Sequence, residues 1–313
     1  MVHPGPDTIE KAGGIHKFIN YNKPIITDSG GFQVFSLSDN TGMEKELKGS
    51  VKKQYREGAT VLKVNEEGVL FRSYRDGRPI FLTPESSVAA QKKIGADIIV
   101  PLDWLLPNCV DTVKLKKALE ITHSWEARSL IEHIKNINKQ AMYGIIHGGS
   151  DAELRRLSAQ YISALPFQGI AVGGSLGKDT QEMKTILEQL NPHLPPSLPR
   201  HLLGIGDIPG IMQGVINGMD TFDSCLPTRL GRHGTLLTEE GELKIKRGIY
   251  KELFEPLVDD PNHPFFNTYT KASLHHLFKQ NEPAASTIGT IHNIYMMMQY
   301  MRKIRSLIQL NLI

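Results

Sequence analysis

Cysteine is scarce in this chain: Cys109 and Cys225 are the only two among 313 residues. Two thiols cannot supply a disulfide framework, so a reducing, cytoplasmic setting is expected. Long apolar runs are missing too. No stretch approaches the length needed to cross a bilayer, and Met1–Pro6 carries no charged-then-apolar leader pattern. No membrane partner is therefore expected. The last helix-like segment, Ile288–Ile308, is interrupted by Arg302, Lys303 and Arg305, which makes it an amphipathic core-packing helix. Neither sign of charge dominates: the formal net charge is +3 and the sequence pI near 8.7. That mild excess is compatible with a polyanionic partner and diagnoses none. Repeats and low-complexity tracts are absent, which excludes a solenoid.

What remains is an ordinary globular composition, 40% hydrophobic and 22% charged, long enough for one large domain or two modest ones. Short apolar runs rich in Ile and Val recur at Pro24–Asp28, Ala96–Asp103, Met142–His147, Gly169–Gly174, Arg200–Gly206 and Gly218–Asp223. Runs this apolar predict strands covered on both faces, hence a parallel sheet with helical crossovers. Helical spacing fills the intervals at Pro84–Lys93, Val113–Ile134, Ala152–Ala164 and Thr180–Leu190, several of them preceded by Ser or Asp as N-caps. Between Val61 and Tyr74 the pattern changes to T-V-L-K-V, N-E-E-G, V-L-F-R-S-Y, an antiparallel hairpin inserted after the first strand. Pro192–Pro199 is a surface connection. Five of the six strands end in a glycine or polar cluster. Chemistry gathered at the carboxyl ends of parallel strands suits a (β/α)8 barrel and an open doubly wound sheet alike, and six strands do not close the former.

The strand ends supply the candidate chemistry. Asp28-Ser29-Gly30-Gly31-Phe32-Gln33 sets a carboxylate beside two glycines that let backbone approach a flat ligand; the plainer alternative is a capped turn. Asp103 closes the run Ile98-Ile99-Val100-Pro101-Leu102, where a cap is the common role, yet a carboxylate there can accept from the ring N–H and amino group of a guanine-like base. Gly173-Gly174-Ser175-Leu176-Gly177 satisfies G-x-S-x-G, and His147-Gly148-Gly149 is similar to the oxyanion segment of esterases. A serine hydrolase built on Ser175 would need an acid and a histidine downstream, Asp207 with His233 or Asp223 with His292. Gly204-Ile205-Gly206-Asp207-Ile208-Pro209-Gly210 has its third glycine misplaced for a dinucleotide site and fits a helix-entry loop whose amides could meet a phosphate. In Phe222-Asp223-Ser224-Cys225-Leu226-Pro227-Thr228-Arg229-Leu230-Gly231-Arg232, Pro227 stiffens a turn that presents two guanidinium groups three positions apart. A solvated basic loop after a capping Asp is the alternative.

F-D-x-x-L-P-T-R-x-G-R at Phe222–Arg232 resembles the nucleophile segment of tRNA-guanine transglycosylases, and D-S-G-G-F-Q-V-F-S at Asp28–Ser36 resembles their substrate-pocket loop. Asp103, G-I-I-H-G-G, A-V-G-G-S and L-L-G-I-G follow in the matching order, so the similarity runs from about His3 to the C-terminus. The resemblance implies an α/β fold, a (β/α)8 TIM-type barrel over 1–250 with the hairpin insertion near 55–80, and a C-terminal helical subdomain over 251–313. It implies exchange of the tRNA wobble guanine for a 7-deazaguanine base. Asp223 would be the nucleophile and Asp28 the general acid and base. Ser29, Gly30, Gly31, Phe32, Asp103, His147 and Gly174 would hold the base. Gly204 through Gly210 and Thr228, Arg229, Leu230, Gly231 and Arg232 would meet RNA. The implied partners are the tRNA anticodon loop, the small base and a second copy in a homodimer.

Three departures from the family pattern follow. Two family strands precede the D-S-G-G-F-Q strand, and Met1–Gly5 resembles an internal family stretch, so a displaced start or shortened gene is expected. The family's zinc set, C-x-C-x2-C and a later His, falls on Pro261, His263 and Phe266 with only His292 kept. No cofactor is expected, the zinc being replaced by packing around Phe265, Phe266 and Tyr269. His147 stands where many bacterial members have Gln and Ser175 where they have Leu, in a shorter loop, which would reshape the pocket toward a bulkier base such as queuine. Besides the hydrolase, a non-catalytic tRNA-binding pseudoenzyme is the alternative; retention of Asp28, Asp103 and Asp223 argues against lost chemistry.

Overall fold

The computed structural model describes residues 2–32, 61–73, 75–106, 111–137 and 139–313. Gln33–Ser36, residues 55–60 of the expected insertion, Tyr74 and Cys109 lie outside them. Two short helices open the chain, α1 (Pro6–Lys11) and α2 (Ile15–Phe18), before β1 (Ile26–Thr27). A meander follows: β2 (Val61–Asn65), β3 (Gly68–Arg72) and β4 (Pro79–Leu82). Then strands and helices alternate: α3 (Pro84–Ile94), β5 (Ile98–Ile99), α4 (Thr112–Ile134), β6 (Ala141–Ile146), α5 (Ala152–Ser163), β7 (Gly169–Val172), α6 (Thr180–Leu190), β8 (Arg200–Leu202), α7 (Ile208–Ile216) and β9 (Thr221–Phe222). The remainder is α8 (Leu226–His233), the hairpin β10 (Thr235–Thr238) and β11 (Gly241–Lys244), α9 (Lys271–Lys279) and α10 (Pro283–Gln309). No helix among the described residues is long and apolar enough to cross a membrane.

All six expected strands join one sheet, in the order β1-β5-β6-β7-β8-β9. The first five pair in parallel, with Ile26 opposite Ile98, Ile98 opposite Ala141, Tyr143 opposite Gly169 and Ile170 opposite Arg200. Each strand lies beside its predecessor in the chain, without the reversal that defines a doubly wound sheet. The sheet is thus wound in one direction with helical crossovers, an α/β architecture whose parallel sheet has the order of a half-barrel. The strands are shorter than the apolar runs for local reasons. Pro101 has no N–H to donate, so pairing in Ala96–Asp103 is confined to Ile98–Ile99. Gly218, at φ 78°, turns the chain after α7 and delays pairing to Thr221.

The helices start where short polar side chains satisfy their open amides. Thr83 and Ser86 form a capping box across Pro84, and Gly95 ends α3 in the left-handed region. Asp111, Asp151 and Asp179 accept from the first-turn amides of α4, α5 and α6. The expected hairpin is present, but β4 adds a third strand that the charged stretch before Pro79 hides in the sequence. Trp125 of α4 anchors this meander: it is fully buried with Val69, Phe71, Leu82 and Leu102, and its indole N–H donates to Glu66 O at 2.9 Å.

The chain divides into two compact units, residues 1–203 with 212–221, and residues 204–211 with 222–313. The expected division at 250/251 therefore differs from where compactness changes, since β10, β11 and α8 pack into the second unit. Its core is Leu236, Ile245, Leu257, Leu274, Phe278 and Ile288. The turn expected after Pro227 is instead the helix α8, begun by Leu226-Pro227 and ended by Gly234 at φ 84°. Leu226–His233 is short, and it holds because α10 lies directly against it. A Cβ on Gly231 would come within 2.4 Å of Gly289 O, and one on Gly289 within 2.5 Å of Gly231 O. Asn293 completes the clasp, donating to Pro227 O and Thr235 O and accepting from Leu237 N–H.

Two tests follow from this packing. Gly289→Ala adds a methyl group where backbone already stands, so the helices must part. The second unit should lose about 1–3 kcal/mol in urea denaturation, despite alanine's better helix propensity. In the first unit, Glu126 is fully buried; Oε1 accepts from Ile145 N–H at 3.1 Å, and Oε2 has no partner among the described residues. Burial, then the nearby Asp103 carboxylate, pushes its pKa well above the usual carboxylate range. The folded chain thus holds this proton more tightly than the unfolded chain. That stabilising contribution is complete below the unfolded value near 4.5 and fades as pH rises toward the folded one. The melting temperature of Glu126→Gln relative to the parent should climb from acid to neutral pH; a pH-independent difference would contradict the buried neutral acid.

Candidate active site

At the carboxyl end of β1 the chain turns sharply, with Gly30 at φ 89°. Ser29 is fully buried there. Its Oγ accepts from Gly31 N–H at 3.1 Å and donates to Asp103 Oδ1 at 3.3 Å, while its carbonyl accepts from Ser87 Oγ at 2.8 Å. A Cβ on Gly31 would stand 2.8 Å from Asp103 O and 3.0 Å from Oδ1, so glycine is required for this approach. Asp28 is exposed, with Oδ1 accepting from Ser29 N–H at 2.8 Å. Phe32 is 36% exposed, at the edge of the described turn.

Asp103 is only 7% exposed. Leu102 N–H is held by Ser129 Oγ and Trp104 N–H by Thr122 Oγ1, which fixes the backbone on both sides of the carboxylate. His147, delivered by β6, brings Nε2 to 3.1 Å from Asp103 Oδ2. The contact is a charge-pairing distance without the alignment of a formed N–H···O bond, since Nε2 has no hydrogen-bond partner among the described residues. The backbone N–H of His147 donates to Ser158 Oγ at 3.1 Å. Gly174, at φ 74°, closes over the ring: a Cβ there would lie 3.2 Å from His147 Nδ1. Ser29, Gly31, Asp103, His147 and Gly174 are therefore brought together from four strand ends. Beside them a shallow open recess is lined by Trp104, Leu105, Leu106, Leu119, His147 and Gly174, among others.

Sequence reasoning missed two groups behind this cluster, Glu126 and Arg155. Both sit within helical patterns where a charged residue reads as a solvent face, and nothing in the local spacing marks them. Arg155 is 2% exposed. Its guanidinium donates to the carbonyls of Gly149, Ile146, Gly173 and Ser175 at 2.7–3.0 Å.

The G-x-S-x-G reading does not survive. A nucleophile elbow needs strand, serine and helix in immediate succession. Here β7 ends at Val172 and α6 begins at Thr180 behind its cap Asp179, leaving Ser175 in an extended connection. His292, nominated as a partner, is buried and bonded to His263 and Leu237.

In the second unit, Asp223 is exposed and its Oδ1 accepts from Gly204 N–H at 2.8 Å. Gly206 leaves room for Ser224, whose Cβ would lie 2.2 Å from any Cβ at that position. Asp207 accepts from Gly210 N–H at 3.0 Å, entering α7 as the sequence suggested. The amides of Gly204 and Gly210 are thus already engaged by carboxylates, which removes two of the donors expected for a phosphate. Thr228, Arg229 and Arg232 ride on α8 rather than on a loop, with Arg232 exposed and Arg229 half-buried. Gly231, expected to touch RNA, is buried against Gly289 and serves the helix contact instead.

The zinc positions do not fit a metal. Pro261 and Phe266 offer no donor, and among the described residues no three His, Cys, Asp or Glu side chains converge as ligands would. The remaining two histidines are committed to each other. Phe265 N–H donates to His263 Nδ1 at 3.1 Å, His263 Nε2 lies 3.1 Å from His292 Nδ1, and His292 Nε2 lies 2.8 Å from Leu237 O. This chain assigns one tautomer to each ring, with every ring nitrogen used. Burial lowers His263 and holds His292 down to about 4, so both rings are neutral near pH 7.

Residues 1–311 match the family model described as queuine tRNA-ribosyltransferase. A protein of that name from Protochlamydia amoebophila is 50% identical over 313 residues, spanning all of this chain and 80% of its own length. Its namesake from Chlamydia trachomatis serovar L2 is 47% identical over 308 residues, covering 97% of this chain and 82% of its own length. The Chlamydia abortus protein of the same name is 46% identical with the same coverage. With its strand-end carboxylates in the order the sequence anticipated, this chain belongs to the queuine tRNA-ribosyltransferase family.

Proposed function

We propose that the chain is a tRNA-guanine transglycosylase, a pentosyltransferase that exchanges the wobble guanine of tRNA for a 7-deazaguanine base. The observation that carries this reading is the buried Asp103 carboxylate, braced by Ser29 and Gly31 and paired with His147, in a chain of this family. Such a carboxylate accepts from the ring N–H and the exocyclic amine of guanine, which are adjacent donors. Asp223, exposed and held by Gly204 N–H, attacks C1′ of the ribose. The C1′–N9 bond breaks, its electron pair leaves with guanine, and Asp28 protonates the departing ring. Asp28 then takes a proton from the entering base, whose nitrogen attacks C1′ and releases Asp223. This is the two-step logic of a retaining glycosidase, with a base in place of water.

Thr228, Arg229 and Arg232 are assigned to the anticodon loop, where guanidinium groups pair with phosphates and base edges. His147 and Ser175, in a shortened loop, support a 7-substituted base bulkier than guanine, such as queuine. The one-directional order of the sheet supports a (β/α)8 winding, of which the described residues carry six strands. A homodimer belongs to the same reading.

Asp223→Ala should abolish the RNA adduct that resists denaturation when the enzyme is mixed with tRNA and no free base. An undiminished adduct sinks the assignment, and a parent chain that never forms one favours the pseudoenzyme. The histidine pair supports a metal-free second unit. A chelator should leave its melting temperature unchanged, whereas a drop reversed by zinc would restore the metal to this chain.

A further inference from the structure

Arg155 and Arg156 are neighbours on α5 with opposite fates. Arg156 faces solvent and forms a fork with Glu153, at 2.8 and 2.6 Å. Arg155 turns inward, and its four hydrogen bonds all go to main-chain carbonyls: Nε to Gly149 O at 2.8 Å, Nη1 to Ile146 O at 3.0 Å and Gly173 O at 2.7 Å, and Nη2 to Ser175 O at 2.8 Å. Burying a cation is costly, and burial alone pulls this one down to about 9. At neutral pH it remains charged, answered by carbonyl dipoles from two different strand-end loops. One loop follows β6 and contains His147; the other follows β7 and contains Gly174.

Peptide geometry gives these contacts a consequence. In a trans peptide the C=O of one residue and the N–H of the next point in opposite directions. Gripping Gly173 O therefore turns Gly174 N–H away from the guanidinium, while gripping Ile146 O holds the same peptide whose His147 N–H donates to Ser158 Oγ, fixing the start of the His147 loop. The Gly173–Gly174 peptide needs such a grip, because glycine on both sides leaves its rotation almost unrestricted by side chains. Gly174 adopts φ 74°, and its Cα faces the His147 ring. A lysine could not substitute: its single ammonium cannot span four carbonyls in two loops, whereas the planar fork of arginine does.

We propose that Arg155 is a positioning residue for base recognition, locking the Gly173–Gly174 peptide and the His147 loop so that Gly174 N–H and the His147 ring face the bound purine. The proposal rests on the transglycosylase reading. Arg155 does not touch the base; it acts through the two loops. Its loss should loosen one substrate and spare the other.

Arg155→Lys is expected to raise KM for guanine by about tenfold or more, the range for losing hydrogen bonds to a charged group. KM for tRNA should stay within about twofold, since the α8 arginines are untouched. Hydrogen exchange should rise in the peptides covering 147–151 and 173–177 while β6 and α5 stay protected. Should the lysine variant unfold, Arg155→Ala stabilised by millimolar guanidinium ion gives the same readout, with guanine binding tracking the added ion. An unchanged KM for guanine overturns the proposal, as does a proportional rise in both KM values. A parent chain that binds no guanine and forms no Asp223 adduct overturns the underlying reading as well; with that adduct present, only the role of Arg155 has failed.

Discussion

A carboxylate with 7% of its surface exposed must be answered by its surroundings, and the first unit is organised around answering Asp103. Ser29 supplies a hydroxyl, His147 a ring edge, and Gly31 the space that lets backbone come close. The partners come from two other strand ends, those of β1 and β6, so the sheet has to hold its register for the carboxylate to be tolerated. An unanswered charge there would cost several kcal/mol in the order-of-magnitude sense, comparable to the whole stability of a domain. Oδ1 accepts from Ser29, whereas Oδ2 lies 3.1 Å from His147 Nε2 without a formed hydrogen bond.

Behind this front, the burial of further polar groups follows one logic. Arg155 satisfies carbonyls that the strand-end loops cannot pair within the sheet. Gln91 does the same at the β5 end, donating to Val100 O at 2.8 Å and accepting from Val100 N–H at 3.2 Å. Parallel strands this short leave many backbone groups unpaired at their ends, and side chains from the crossover helices reach in to meet them. The loops after β6 and β7 are tied to α5 in this way. Glu126 departs from this, a buried acid with one oxygen unanswered among the described residues.

The second unit solves a different problem. Lacking thiolates at Pro261, His263 and Phe266, it closes on a histidine pair and on the Gly231–Gly289 helix contact. That contact also fixes α8, the helix that bears Thr228, Arg229 and Arg232. Packing and presentation of the basic residues are therefore the same event.

The sequence by itself determined the strands, the crossover helices and the chemistry-bearing residues at the strand ends. Apolar runs bounded by glycine and proline, and caps at Asp111, Asp151 and Asp179, are local signals that the neighbouring residues suffice to set. The family motifs at Asp28–Ser36 and Phe222–Arg232 were legible for the same reason, being continuous in the chain. Only the tertiary structure decided the strand order, the third strand at Pro79–Leu82 and the conversion of the Pro227 turn into a helix. It also decided that Gly231 packs while Arg155 turns inward next to an outward Arg156. Those outcomes depend on partners remote in the sequence: Gly289 lies in another helix, and the carbonyls of Gly173 and Ser175 follow another strand. Burial of a charge or close approach of two backbones is a property of the pair, and no single stretch of residues contains it.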